Sequence, residues 1–135
     1  MLNNLKIYFA NRSDVAFSFL FGSYARGTAH TESDIDIAVY FYPQERYQYP
    51  VEYEEEVYYD GEDEIWTDLE KLLGKEVELL VLNRVSASIS ASAIRGTRLV
   101  IKDLKLYLDF MQMVTREAED YAYMLSKDFL LEYGR

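Results

Sequence analysis

Two aspartates, Asp34 and Asp36, stand one residue apart in SDIDIAVYF, and a Gly-Ser pair, Gly22-Ser23, ends an apolar run ten residues before them. If Ile35 to Phe41 is a strand, both aspartates project from one face, and Ile35 and Ile37 turn to the other, toward a core. Their Cα atoms then lie ~7 Å apart, so the two carboxylates can lean toward one point, where they repel. A hard divalent cation relieves that repulsion. Mg²⁺ takes oxygen ligands and keeps waters that leave room for phosphate oxygens. Two such ions about 3.5–4 Å apart can clamp the attacking and leaving oxygens of an in-line phosphoryl displacement. The Gly-Ser pair supplies the other half. A strand that ends there and opens a helix presents free backbone N–H groups to an anion, and the glycine permits close approach. Ser23 adds a hydroxyl donor, and Arg26 is a candidate to balance charge on a bound nucleotide. A third carboxylate is expected on a neighbouring strand. The run KEVELLVLN offers Glu78, with Val77, Leu79 and Val81 on the opposite face. Glu76 shares its face but sits at the strand's entry, so Glu78 is the expected base or third metal ligand.

The elements that must position these groups follow from periodicity. Leu2, Leu5 and Phe9 have helical spacing, so 2–12 reads as a helix. Val15 to Phe21 is apolar or small on both faces, as a buried strand is. Tyr24 to Gly27 reads as a helical turn, Thr28 to Ser33 as a polar loop, and Ile35 to Phe41 as the second strand. Ile65, Leu69, Leu72 and Leu73 predict an amphipathic helix stopped by Gly74. A strand over 76–82, a helix over 86–95, a strand over 98–101 and a long helix over 104–132 complete the chain. In that last helix Leu104, Met111, Ala118 and Leu125, with Leu108, Val114, Tyr121 and Phe129 between them, form one continuous stripe. Leu106, Phe110 and Met113 add apolar surface beside it. The stripe packs on the chain's own sheet or, in part, on another protein.

Composition sets the outer bounds. The 135 residues fit one domain, 1–135, and half are hydrophobic. There is no cysteine, which removes disulfides, thiolate zinc sites and cysteine nucleophiles together. The N-terminal MLNNLKIYFANRSD lacks the basic and long apolar regions of a secretory leader. No run approaches the roughly 20 apolar residues of a membrane span. A cytoplasmic protein with no membrane partner is expected. The net charge of −10 argues against direct nucleic-acid binding, which depends on Lys and Arg neutralising phosphates. The segment Tyr47 to Asp63, dense in tyrosine and acid, reads as a solvated loop with a helical turn near Glu52 to Tyr59, or as an arm that meets a basic partner. His30, the only histidine, falls in the loop between the motif halves and has no companions for ligation. Trp66 is expected to anchor its helix to the core.

FGSYARG followed by SDIDIAV resembles the GS-x10-D-x-D motif of the polymerase-beta-like nucleotidyltransferase superfamily. The small chain, without a separate substrate domain, is similar to the minimal nucleotidyltransferases (MNT), the antitoxin partners of HEPN ribonuclease toxins. The likeness extends through W-x-D-L-E-x-L-L-G-x-E-V-E-L-L-x-L, then I-R-G-T-R-L-V and the end helix, and so covers most of the chain. It implies an α+β fold: a small mixed sheet with helices on one side, a long C-terminal helix, and an active site at the end of the first two strands. It implies that ATP binds with Mg²⁺, two ions, and that a hydroxyl attacks the α-phosphorus, so that AMP is transferred and pyrophosphate leaves. In the HEPN-linked branch the acceptor is a tyrosine of the toxin. Gly22 and Ser23 match the phosphate-gripping pair, and Asp34 and Asp36 the metal-binding pair. Glu78 stands where the family usually has aspartate, one methylene shorter. Two other readings remain beside a toxin-modifying enzyme: an antitoxin that masks its partner by contact, and a nucleotidyltransferase acting on a small hydroxylated molecule.

Overall fold

The structure, a computed structural model, describes residues 1–43 and 58–133. Side chains are described as far as Asp120 and beyond it at Tyr123 and Lys127. Nine elements follow in order: α1 (Leu2–Ala10), β1 (Val15–Phe21), α2 (Gly22–Arg26), β2 (Ile35–Phe41), α3 (Glu62–Leu73), β3 (Val77–Val81), α4 (Ala87–Ala93), β4 (Thr97–Ile101) and α5 (Leu104–Tyr133). The four strands form one mixed sheet in the order β3-β2-β1-β4. β1 runs antiparallel to both neighbours and β2 parallel to β3.

β1 and β2 are central and buried on both faces, as their uninterrupted apolar runs require. Alternation divides the core into two layers. Ile35, Ile37 and Val39 of β2, with Val77 and Val81 of β3, meet Leu5 and Phe9 of α1 and Ile65 and Leu69 of α3. Phe17 and Phe19 of β1, with Ala38 and Tyr40 of β2, meet Ala93 of α4 and Phe110 and Val114 of α5. Helices therefore cover both faces, not one side as the resemblance implied. The reason is visible in the strands: a sheet apolar on both faces needs a cover on each.

α1 has nine residues, too few to persist alone in water. Full burial of Leu5 and Phe9 holds it, at about 1.5–3 kcal/mol for each side chain. The Tyr8 hydroxyl donates to Asp68 Oδ2 at 2.7 Å and ties α1 to α3. Burial and that hydrogen bond raise the Tyr8 pKa above its ordinary range. At the far end of the sheet Asn83 serves as a side-chain continuation of the ladder. Its Oδ1 accepts from the Phe41 N–H at 2.9 Å, and its Nδ2 donates to the Phe41 carbonyl at 3.0 Å.

Three expectations are corrected. α3 begins at Glu62 rather than Ile65. Glu62 is buried, accepts from the Tyr59 N–H at 2.8 Å and pairs with Arg84, while Tyr59 stacks on Phe41 at 4.8 Å. The acid-rich segment is thus packed at its end, and its part over 44–57, including the helical turn, lies outside the described residues. Trp66 is 44% exposed and gives its indole N–H to the Val77 carbonyl at 2.8 Å. Ile65 and Leu69, four residues apart, take the core-facing line, and Trp66 is rotated off it. Among the described residues of α5 the packed face is Leu106, Phe110, Met113 and Val114, so of the expected stripe Val114 packs while Leu104 and Leu108 are 62% and 44% exposed, and the side chains of Tyr121, Leu125 and Phe129 lie outside the described residues. Phe110 decides this. Its ring lies 4.9 Å from Tyr40 and 5.5 Å from Phe17, and the helix rotates to seat it.

Candidate active site

The candidate site forms where β1 ends and β2 begins, at one edge of the central strand pair. Phe21 at the end of β1 lies opposite Asp36, the second residue of β2. The parallel partner β3 then places Glu78 in register with Asp36, so the two carboxylates sit on adjacent strands, ~4.8 Å apart in backbone spacing. Both project on the face that also carries Ala38 and Tyr40. Asp34 comes from the loop just before β2, not from the strand, and is exposed. The expected pairing of Asp34 with Asp36 within one strand is therefore looser, and the tighter pair is Asp36 with Glu78.

Those two carboxyls share a hydrogen bond. Burial first, then that bond and the negative charges of Glu78 and Asp34, push the Asp36 carboxyl up to about 6, against the opposing pull of Arg26. Two carboxylates this close share a proton up to a pH of about 6, and above it a cation relieves their repulsion. Among the described residues no three acidic or histidine side chains are gathered around one point. The donor set still suits a hard divalent ion: carboxylate oxygens only, already in contact and short of positive charge. Asp36 and Glu78 would hold such an ion, with Asp34 at hand from the loop.

Gly22 is the hinge of the site. Its φ is +69°, and a Cβ there would overlap the Asp36 carboxylate. Two separate reasons thus demand glycine: the left-handed backbone and the approach of the acid. Ser23 is half-buried in the first turn of α2, its carbonyl taken by the N–H groups of Gly27 and Thr28. Gly27, at φ +73°, stops α2 after five residues. The loop from there to Asp34 is held from outside. The Lys75 ammonium donates to the Thr31 carbonyl at 3.2 Å and lies 5.9 Å from the centre of the Tyr24 ring. His30 shapes the same loop, its Nδ1 accepting from the Glu32 N–H and its own N–H donating to Ser33 Oγ.

Gly22, Arg26 and Glu78 are thereby brought beside Asp36, with Asp34 close to it in the preceding loop; of Ser23, the turn is fixed by its backbone bonds. What the sequence reading missed lies on the other side of Gly22. A cavity of about 460 Å³ opens there, lined by Gly22 and Arg26 together with Ser92, Arg95 and Thr97. Arg95 also lines a second cavity of about 470 Å³ between α4 and α5, with Ile94, Tyr107 and Met111. The signal was present in IRGT, a cation followed by glycine at a helix-to-strand turn, but no spacing rule links residue 95 to residue 22.

Comparison with known proteins supplies the family. Residues 3–105 match the family model described as Polymerase beta, Nucleotidyltransferase. No curated protein sequence matches. Among solved structures, a toxin-antitoxin structure with AMP-PNP is similar at 22% identity, TM-score 0.65, over 96% of this chain and 94% of that one. The complex of a tri-AMPylated Shewanella oneidensis HEPN toxin with MNT antitoxin is similar at 17% identity, TM-score 0.60, over 97% and 95%. The toxin-antitoxin structure of MntA-HepT is similar at 17% identity, TM-score 0.56, over 96% and 90%. These likenesses establish a shared fold, and the matched residues carry every element from α1 through β4: the chain belongs to the polymerase beta nucleotidyltransferase family.

Proposed function

We propose that the chain is the antitoxin of a toxin-antitoxin pair and transfers AMP from ATP, with Mg²⁺, to a tyrosine hydroxyl of a cognate HEPN ribonuclease, silencing it. The observation that carries this reading is the contact of Asp36 with Glu78 beside the Gly22 turn, on a fold shared with chains found in such complexes. Bound between those carboxylates, the cation would neutralise charge on the phosphates and hold them for displacement. The chain's own groups do the rest. The Gly22-Ser23 turn offers backbone N–H donors to the phosphates, and Arg26 adds positive charge. Glu78, the exposed member of the pair, faces an acceptor arriving from outside and takes the proton its hydroxyl gives up. The acceptor oxygen forms a bond to the α-phosphorus, the bond to the β-phosphate oxygen breaks, and pyrophosphate carries the electron pair away. Glutamate at this position reaches one methylene further than aspartate, which its place on an exposed edge strand accommodates.

The test pairs the chain with the partner this reading expects, a helical HEPN-type ribonuclease carrying Arg-x4-6-His. Asp36→Asn, alone and with Asp34→Asn, removes charge but not volume. Label from α-³²P-ATP should then fail to reach the partner while circular dichroism stays native. Labelling that persists in the double variant sinks the catalytic assignment. Loss of labelling with full neutralisation of the toxin would instead establish masking by contact.

A further inference from the structure

The cavity on the far side of Gly22 has a lining unlike the rest of the chain. Arg26, Arg95, Ser92 and Thr97 supply guanidinium and hydroxyl donors, and no carboxylate lines it, in a chain of net charge −10. Arg12 and Arg84 are tied up in ion pairs with Asp14, Glu64 and Glu62. Arg26 and Arg95 have no hydrogen-bond or ion-pair partner among the described residues, and both are exposed at the cavity mouth. Arg26 already feels the charge of Asp36, whereas Arg95 brings a second guanidinium to the same cavity, and an anion seated there would offset the repulsion between them. The fold also builds this position. A Cβ at Gly96 would overlap the Leu20 carbonyl and crowd Phe21, so glycine lets the turn from α4 to β4 pack on the end of β1. That contact holds Arg95 beside the Gly22 turn.

The sheet order then sets the direction. β1 ends at Gly22, with β2 and β3, carrying Asp36 and Glu78, on one side and β4, entered through Arg95 and Gly96, on the other. A polyphosphate lying across the Gly22 turn has one end at the carboxylates and the other at the arginines. We infer that this cavity seats the terminal phosphates of the nucleoside triphosphate and that Arg95 is the residue that recognises them. The inference rests on the reading of the chain as an ATP-using transferase and adds the specificity for a triphosphate. It has a kinetic corollary: pyrophosphate, once released from the transferred AMP, leaves from the arginine side and competes there with incoming ATP.

Calorimetric titration of the full chain in Mg²⁺ separates the possibilities, with α,β-methylene-ATP, AMP and inorganic tripolyphosphate as probes. In Arg95→Gln, affinity for the ATP analogue and for tripolyphosphate should fall about tenfold or more, the loss of one charge-assisted contact, with AMP affinity unchanged within about twofold. Arg95→Lys should recover most of the loss. Arg95 makes no bond to the protein among the described residues, so the melting temperature should not move. Equal loss for AMP and the ATP analogue, or no loss for the analogue, overturns the role of Arg95 while leaving the transferase reading in place. A wild-type chain that binds neither the analogue nor tripolyphosphate overturns both.

Discussion

Asp36 is where the sequence and the sheet meet most sharply. Its carboxyl is half-buried, bonded to Glu78 and flanked by Asp34, and it therefore keeps its proton to a pH of about 6. In the unfolded chain the same group ionises near ~3.9. The folded state thus binds more protons in that window. This stabilising contribution is complete below pH ~4 and is lost as pH rises through about 6. An asparagine side chain in its place cannot titrate. In EDTA, the melting temperature of Asp36→Asn relative to wild type should rise between pH 4 and pH 7, and a difference that stays flat would contradict the shared proton. The pairing of Asp36 with an acid two residues away was legible in the sequence. Glu78 was also legible as the third acid, on a neighbouring strand, but its parallel register with Asp36 was not, because register across a connection of 35 residues, from Tyr42 to Glu76, is set by which residues β3 buries.

At the scale of elements, α5 holds two unequal faces. Phe110 and Val114 are buried against Phe17, Tyr40 and α4, whereas Leu104 and Leu108 are exposed. Phe110→Ala should lower unfolding free energy by about 3–5 kcal/mol through the cavity it leaves, measured by denaturant unfolding. Leu108→Glu should change it by less than ~0.5 kcal/mol. Comparable losses would mean that the stripe Leu104, Leu108, Met111 is the packed one after all. Helical period alone identified α5 and its length to within a residue of its end. Period could not choose between two adjacent apolar lines about 100° wide, since that choice depends on the shape of the sheet beneath.

For the whole molecule, the same layering that buries both sheet faces leaves the ends of the central strands free for the site. Binding there must be linked to folding, because the unfolded chain has no such site. Mg²⁺ with ATP at about 100 times the dissociation constant should stabilise the fold by ~2.7 kcal/mol, read as a rise of several degrees in melting temperature. EDTA should abolish the rise. A shift from ATP that is indifferent to the cation would remove the carboxylates from nucleotide binding. Among the described residues no helix is long and apolar enough to cross a membrane. The sequence by itself determined the elements, the family motif and the faces of β1 and β2, because these depend on periodicity, turn chemistry and short spacing. Only the tertiary structure decided that helices cover both faces of the sheet, that Glu78 stands in parallel register with Asp36, that α5 turns on Phe110, and that Arg95 arrives beside Gly22. Each of these is a contact between distant segments, governed by shape complementarity and strand register, which no local pattern encodes.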